Sequence, residues 1–272
     1  MSKTGASFIM IYVTGDMHGA VSRFEEKSFD KLRSGDILIV CGDFGFIWNG
    51  DGQEEKILQF MSRQKYRILF VDGCHENFDK LYSYPEDQWC GGRIHRINDN
   101  VFHLCRGQVF DIEGQTIFTM GGGFSPDADI RTSRGMRWWE EEMPTVREME
   151  QAANELYRHS LRVDYIITHE CPTKVKNLLS NDLNNFNSLT AFFDDLCDRV
   201  KYKHWFFGSQ HKDKHISSKH TAVYLEVIPL EVPKNTFSEP LNRYYLRSGR
   251  RNGSDADREE PFDRSDAFYR ED

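Results

Sequence analysis

Acidic and histidine side chains recur in this sequence directly after short apolar runs. The segments that carry them are "GDMHG", "GDFG", "GCHEN", "THECP" and "GSQH". In the first segment Asp16 and His18 are two residues apart, so both side chains point the same way in an extended chain. Carboxylate oxygens together with imidazole nitrogens suit Zn, Mn or Fe, whereas Ca prefers oxygen ligands alone. The pattern predicts a metal site, with Asp43, His169 and His211 as further candidate ligands.

A pair of ions bridged by one carboxylate would be suited to chemistry at phosphorus. Asp43 could bridge two ions, and ions roughly 3.5–4 Å apart form the clamp used for in-line displacement at phosphorus. Each segment alone is weak evidence, because a single Gly-Asp after a strand is usually a turn. Their ordered recurrence after several strand-like runs is much harder to attribute to chance.

The apolar runs that precede these segments predict the strands that position them. The runs are "FIMIYVTGD", "DILIVCGD", "RILFVDG", "TIFTMGG", "DYIITHE", "HWFFG" and "TAVYLEVIPL". Several have consecutive apolar residues, which is typical of strands covered on both faces. Helix-like spacing falls between runs, at residues 19–33, 53–65, 140–160 and 182–200. The alternation indicates an α/β layered fold, in which ligands gather beyond the carboxyl ends of the strands.

In order and spacing, the segments resemble the signature of the calcineurin-like metallophosphoesterase superfamily, in its bacterial or phage type. That signature runs D-x-H, G-D, G-N-H-D/E, H and G-H-x-H, and the resemblance spans roughly residues 11–215. It implies a four-layer α/β/β/α sandwich of two mixed β-sheets flanked by helices. It also implies a metal-dependent hydrolase of phosphomonoesters or phosphodiesters, in which a metal-bound hydroxide attacks phosphorus.

The resemblance also implies a metal-binding role for each motif residue. Asp16, His18 and His211 match the ligands of the first metal. Asp43 matches the carboxylate that bridges both metals, and His169 matches a ligand of the second metal. The implied cofactors are divalent ions of Mn, Zn or Fe.

The same resemblance implies catalytic residues next to the metals. His75 matches the histidine that assists the leaving group or stabilises the transition state, and Glu76 follows it as an orienting residue. Arg131 or Arg134, in the loop "GGGFSPDADIRTSRGMRWWEEEMPT", could hold a phosphate oxygen through a charge-assisted fork. The alternative is a surface loop whose arginines pair with neighbouring acids.

Two positions depart from the signature, and both belong to the second metal. Cys74 stands where the family has asparagine, and Ser209 stands where it has histidine. A serine hydroxyl is a poor metal ligand. Cysteine can bind as a thiolate that favours softer ions such as Zn, or lie buried without touching a metal. We expect one firmly bound ion and a second that is weak, substrate-assisted or absent.

Composition limits the partners and the compartment. The net charge of -8 does not indicate a nucleic-acid partner, although a nucleic acid remains possible as substrate. No stretch is long and apolar enough to cross a bilayer, and no signal peptide is visible. Six scattered cysteines without a C-x-x-C pair fit a reducing, cytoplasmic compartment. The expected partner is a phosphate-ester substrate, with no membrane association.

The chain is expected to form one domain with appendages. Residues 1–233 are the predicted metallophosphoesterase domain, 234–248 a C-terminal extension and 249–272 a charged tail. The tail is poor in aliphatic residues, so it is predicted to be disordered. The histidines outside the motifs receive no site role: His95, His103, His159, His204, His215 and His220.

A second functional class remains open beside the enzyme. A catalytically impaired relative would keep the fold and one metal and act as a phosphate-ligand binder or interaction module. The altered Cys74 and Ser209 favour this alternative, whereas the intact Asp43 and His75 favour the hydrolase.

Overall fold

The computed structural model covers the predicted domain with short gaps. It describes residues 8–125, 128–134, 137–179 and 186–231. Contacts within the chain divide it into Met1–Ile228 and Pro229–Asp272. The predicted extension, 234–248, and the predicted tail, 249–272, lie outside the described residues.

Thirteen strands are present in the described residues. They are β1 (Ile11–Thr14), β2 (Ile37–Cys41), β3 (Arg67–Val71), β4 (Glu86–Trp89), β5 (Gly92–Arg96), β6 (Val101–Leu104), β7 (Gln108–Ile112), β8 (Gln115–Met120), β9 (Tyr165–Thr168), β10 (His204–Phe207), β11 (Lys214–Ser217), β12 (His220–Ala222) and β13 (Ile228–Pro229). In the first sheet, six of the seven strands lie wholly within the first unit, in the order β1-β2-β3-β6-β5-β4. The second sheet has the order β11-β12-β10-β9-β8-β7.

The helices of the described residues fall between the strands. They are α1 (Gly52–Ser62), α2 (Phe78–Leu81), α3 (Ala128–Ser133), α4 (Val146–Arg158), α5 (Thr173–Lys176) and α6 (Ser188–Arg199), with 3-10 turns at Val21–Glu25, Lys27–Lys31 and Glu140–Glu142. The predicted helical segment 19–33 contains two of these 3-10 turns. No helix in the described residues combines the length and the apolar character that a membrane span requires.

Both sheets are mixed, with parallel strands at their centres. Strands β1, β2, β3 and β6 run parallel, as do β8, β9, β10 and β12. The remaining pairs of the first unit, which include β4 with β5 and β7 with β8, are antiparallel. The motif segments follow β1, β2, β3, β9 and β10, so all of them lie beyond the carboxyl ends of parallel strands.

Each sheet buries one face against helices. On the first sheet, Val40 and Phe70 pack in a core that includes Met61 of α1. On the second, Ile166 packs in a core that includes Leu156 of α4 and Phe193 of α6. These two helix-covered cores and the two mixed sheets confirm the predicted α/β/β/α arrangement.

Helix α4 begins with a capping box. Thr145 Oγ1 accepts a hydrogen bond from the Glu148 amide at 3.2 Å, and Glu148 Oε2 accepts one from the Thr145 amide at 2.7 Å. Reciprocal capping satisfies two amides that the helix leaves without partners. The predicted helical segment 140–160 contains this helix, which begins later than the segment because Thr145 caps it.

We predict that Thr145→Ala lowers the free energy of unfolding by about 1 kcal/mol, because it removes the side-chain cap. Urea unfolding followed by circular dichroism measures the change. Ser62→Ala in the last turn of α1 is the matched control, with an expected change below about 0.5 kcal/mol. Equal effects of the two substitutions would contradict a stabilising cap at Thr145.

Candidate metal centre

The loop after β1 brings a fully buried carboxylate against two imidazoles. Asp16 is 0% exposed. His211 Nε2 lies 3.2 Å from Asp16 Oδ2, and His18 Nε2 faces His211 Nε2 at 3.0 Å. Potential ligand atoms of all three residues lie within 4.8 Å of one another. This set of one oxygen and two nitrogens suits a single Zn, Mn or Fe ion.

A second donor set lies beside the first and includes sulfur. His169 Nε2 lies 3.5 Å from Asp43 Oδ1 and 3.7 Å from Cys74 Sγ. Cys74 Sγ lies 4.0 Å from Asp43 Oδ2. All three residues are buried, and the structure brings their potential ligand atoms within 4.8 Å of one another. The cysteine therefore occupies a position from which its sulfur can serve a metal, which favours a soft ion in this half.

Asp43 lies between the two sets. Its Oδ2 is 3.9 Å from His18 Nε2 on one side, and its Oδ1 faces His169 on the other. Its carboxylate also contacts His75 twice, with the His75 amide 2.9 Å from Oδ1 and Nδ1 2.9 Å from Oδ2. This placement is what a bridging carboxylate requires.

The site loops adopt an uncommon backbone conformation. His18, Asp43, Ser209 and His211 have φ values of 47°, 42°, 55° and 45°. Residues other than glycine rarely occupy this left-handed region, and such strain persists where the surroundings determine it. Here the Asp43 carbonyl accepts hydrogen bonds from the Met17 and His18 amides at 3.0 and 2.8 Å. The loops after β1 and β2 thus fix each other.

Two glycines are required because site groups pass directly over them. A Cβ on Gly208 would lie 2.2 Å from Asp16 Oδ1 and 2.3 Å from the Cys41 carbonyl oxygen. A Cβ on Gly42, whose φ is +99°, would lie 2.1 Å from His169 Nδ1. These approaches explain the glycine that precedes Asp43 in "GDFG" and the one that begins "GSQH".

The charges of the site are strongly interdependent. Burial acts to raise the pKa of Asp43, but His169 and His75 outweigh it and hold that pKa well below its usual range. Burial likewise opposes the charged forms of His169 and His75, and the Asp43 carboxylate nevertheless raises both pKa values well above the usual range. The buried Asp43 carboxylate is therefore stabilised in its charged form by the positive charge beside it. A divalent ion can supply that charge and leave the imidazoles neutral for ligation, so the residues fit a metal.

The hydrogen bonds of Glu76 are with the backbone of the loop after β2 and not with the His75 ring. Its oxygens accept hydrogen bonds from the amides of Phe44 at 2.6 Å and Gly45 at 3.2 Å. Burial, with the charge of Asp43 second, raises the pKa of Glu76 to about 8, although the two amides act in the opposite direction. The structure thus places Glu76 against the backbone of the loop that carries Asp43, and the hydrogen bonds that orient His75 come from Asp43.

Arg131 is buried in an ion pair. It is 6% exposed, and its Nη2 donates to Glu142 Oε2 at 3.0 Å. The Glu142 carbonyl accepts a hydrogen bond from the Gly123 amide at 2.9 Å, and a Cβ on Gly123 would lie 2.9 Å from the His169 ring. Arg131 thus pairs with a neighbouring acid, as in the alternative stated for this loop, but its side chain is buried rather than on the surface. Arg134 is exposed.

Ser209 contributes its amide to the site. That amide lies 3.2 and 3.0 Å from the two oxygens of Asp16. The hydroxyl lies 3.3 Å from Glu170 Oε1, and the other Glu170 oxygen pairs with Lys176 at 3.1 Å. The two altered motif positions therefore differ, because Cys74 joins a donor set while the Ser209 hydroxyl contacts a carboxylate.

Two residues outside the motif segments, Arg23 and Tyr224, help to position the first donor set. Arg23 donates from Nη1 to the Asp16 carbonyl and from Nη2 to the Tyr224 carbonyl, each at 2.7 Å. The Tyr224 ring stacks on His211 with centroids 4.9 Å apart. Arg23 lies in residues 19–33, whose spacing predicts an ordinary helix, so the sequence does not indicate that its side chain is buried. Tyr224 closely follows an apolar strand, and this position is the one feature of the sequence that indicates a place near the site.

Two mixed sheets flanked by helices, with an Asp, His and Cys centre beyond their parallel strands, define a metallophosphoesterase-like class of protein. The family model for calcineurin-like phosphoesterases matches residues 9–213. The chain therefore belongs to the calcineurin-like phosphoesterase family, whose members typically use divalent metals.

Two solved structures resemble the chain at low identity. Phosphopantetheinyl hydrolase from Mycobacterium tuberculosis is 13% identical with a TM-score of 0.38, over 79% of this chain and 89% of that chain. The protein of unknown function AQ665 from Aquifex aeolicus is 14% identical with a TM-score of 0.33, over 72% and 88%. No curated protein matches it in sequence.

We predict that Asp43→Asn removes both metals, because the amide loses the negative charge that both donor sets share. Metal content per chain, measured by plasma mass spectrometry after purification without chelator, should fall to near zero. Asp111→Asn, at an exposed position of β7, is the matched control and should retain the parent content. Retention of the parent content by Asp43→Asn would remove Asp43 from the metal site.

We predict that Cys74→Asn shifts the metal preference of the second donor set from Zn toward Mn, because a thiolate is replaced by an oxygen ligand. Competition between the two ions for the chelator-treated protein measures the ratio of affinities, which should change at least tenfold. Cys90→Ser, half-buried in the turn between β4 and β5, should leave the ratio unchanged. An unchanged ratio in Cys74→Asn would mean that the sulfur does not bind metal.

Proposed function

We propose that the protein is a metal-dependent hydrolase of phosphate monoesters or diesters. The observation that carries the proposal is the position of Asp43 between two donor sets, Asp16 with His18 and His211, and Cys74 with His169. When bound, divalent ions supply Lewis-acid stabilisation of the negative charge that develops on a phosphoryl group. The family match supports phosphoester chemistry as the use of this centre.

The exposure of the site residues suggests the side from which substrate arrives. The side chains of His211 and His75 are 47% and 30% exposed. The side chains of Asp16, Asp43 and His169 are 3% exposed or less. A phosphate group therefore approaches between the two exposed histidines, while the buried carboxylates and His169 remain out of reach of solvent.

His75 is the residue best placed to act on the leaving group. Because its Nδ1 hydrogen-bonds to Asp43 Oδ2 at 2.9 Å, the ring orientation is fixed and Nε2 is the nitrogen left for a substrate. In its protonated form Nε2–H can donate to a phosphoryl oxygen or to the departing oxygen. Asp43 thus positions the acid as well as the metals.

A second candidate function rests on Ser209. Its hydroxyl contacts Glu170 where the resemblance implies a histidine that would serve the second metal. With one protein ligand fewer for the second metal, the protein would bind a phosphate compound at the first metal without hydrolysing it. The hydrolase would hold a metal ion in the second donor set, whereas this binder would not.

The test measures hydrolysis of an aryl phosphate and of an aryl phosphodiester with added Mn or Zn. The hydrolase proposal expects turnover of at least one ester, lost in Asp43→Asn and kept in Asp111→Asn. Absence of turnover with both donor sets occupied would refute the hydrolase. Phosphate binding without turnover and with one ion per chain would support the binder.

We predict that His75→Gln lowers the turnover number by about 10²–10⁴-fold while the metal content stays at the parent level, because an acid is lost and no proposed metal ligand changes. Turnover and metal content are measured on the same samples. His159→Gln, at the end of α4, is the matched control and should keep the parent rate. Parent turnover in His75→Gln would exclude a role for His75 in catalysis.

A further inference from the structure

A separate group of potential metal ligands lies in the first sheet, away from the motif segments. His95, His103 and Cys105 are 6%, 1% and 6% exposed. Potential ligand atoms of these three residues lie within 4.8 Å of one another. None of them belongs to the donor sets that meet at Asp43.

The strand ladder places the three side chains together. His95 of β5 is directly opposite His103 of β6, so the two side chains are neighbours on one face of the sheet. Their rings are nearly parallel, with an interplanar angle of 11° and centroids 5.2 Å apart, and meet through their Nδ1 atoms. Cys105 follows His103 by two residues and points to the same face. The grouping is therefore fixed by backbone pairing.

The distances are close to those of a tetrahedral ion. His95 Nδ1 lies 2.9 Å from His103 Nδ1 and 3.6 Å from Cys105 Sγ. Bonds of about 2.0 Å from Zn to nitrogen and about 2.3 Å to sulfur give separations of about 3.3 Å between nitrogens and about 3.5 Å between nitrogen and sulfur. An ion would therefore displace the hydrogen bond between the two Nδ1 atoms and widen their separation by about 0.4 Å, whereas the separation between nitrogen and sulfur already fits.

A buried carboxylate prepares His103 for ligation. His103 Nε2 lies 3.0 Å from Asp72 Oδ1, and Asp72 is 0% exposed. Arg106 holds the other oxygen of Asp72 through Nε at 2.8 Å and Nη2 at 2.6 Å. Because His103 Nε2–H donates to the Asp72 carboxylate, the lone pair of His103 is on Nδ1, directed at His95. A carboxylate that fixes the tautomer in this way typically accompanies metal-binding histidines.

A cavity of about 340 Å³ connects the group to the surface. Besides the three residues and Arg106, its lining comprises Tyr82, Glu86, Arg93 and Glu148. Glu86 Oε1 lies 4.0 Å from His95 Nε2, at the rim. The cavity gives an ion a route to the three residues and leaves space beside them for a fourth ligand. Sites that keep one position open in this way can exchange a water or a small anion.

We propose that His95, His103 and Cys105 form a second metal site, distinct from the centre at Asp43, that binds Zn²⁺ with one position open to the cavity. The nitrogen and sulfur donors select a soft ion over Mg²⁺ or Ca²⁺. The site stands whether or not the protein hydrolyses phosphate esters, because it shares no ligand with the centre at Asp43.

Cobalt absorption tests the proposal on the full chain. In Cys74→Ser protein, which has lost the thiolate of the centre at Asp43, chelator treatment followed by Co²⁺ should still give a thiolate-to-cobalt charge-transfer band. Adding Cys105→Ser should abolish that band, and adding Cys90→Ser as the matched control should preserve it. A Cys74→Ser protein without the band at saturating Co²⁺, or a band unaffected by Cys105→Ser, would overturn the proposal.

A second variant keeps the test decisive if Cys105→Ser fails to fold, which circular dichroism reveals. Adding His95→Gln to Cys74→Ser removes one ligand at the cavity wall and keeps the thiol. The affinity for Co²⁺ read from the band should fall at least about tenfold, and stabilisation by Zn²⁺ against heat should shrink with it. Unchanged affinity and unchanged stabilisation would overturn the site.

Discussion

The structure depends on a buried carboxylate that must be matched by positive charge. Asp43 is 2% exposed, and water cannot offset the cost of burying its charge. The groups arranged around it are the imidazoles of His18, His75 and His169. The left-handed φ at Asp43 and the close approach of Gly73, where a Cβ would lie 1.9 Å from Asp43 Oδ1, both follow from bringing these rings to one carboxylate.

A second buried carboxylate in the same sheet shows how different partners lead to different chemistry. Asp72 receives a two-pronged pair from Arg106 and a hydrogen bond from His103, so a permanent cation already balances it. The partners of Asp43 are imidazoles, whose charge depends on protons that a metal can displace. Asp72 is therefore suited to hold a residue such as His103 in place, and Asp43 is suited to bind ions directly.

The sequence predicts the site residues better than it predicts what supports them. Strands that end in Gly-Asp or histidine can be predicted from the sequence because they consist of consecutive apolar residues. The parallel strands of the two sheets then bring Asp16, Asp43 and His169 together. The antiparallel strands β4 and β5 lack such runs, since β4 is charged and exposed, so the pairing of His95 with His103 has no signal in a linear pattern. The contacts of Glu76 also depend on backbone amides that only the folded loop presents.

The most direct test of the account is anomalous diffraction from crystals of the protein loaded with Mn²⁺ or Zn²⁺. The account predicts two ions roughly 3.5–4 Å apart with an oxygen of Asp43 between them, one bound by His18 and His211 and the other by His169 and Cys74. Ions that do not contact Asp43, or crystals with no ion in either donor set at saturating metal, would contradict the claim that this carboxylate organises a metal centre.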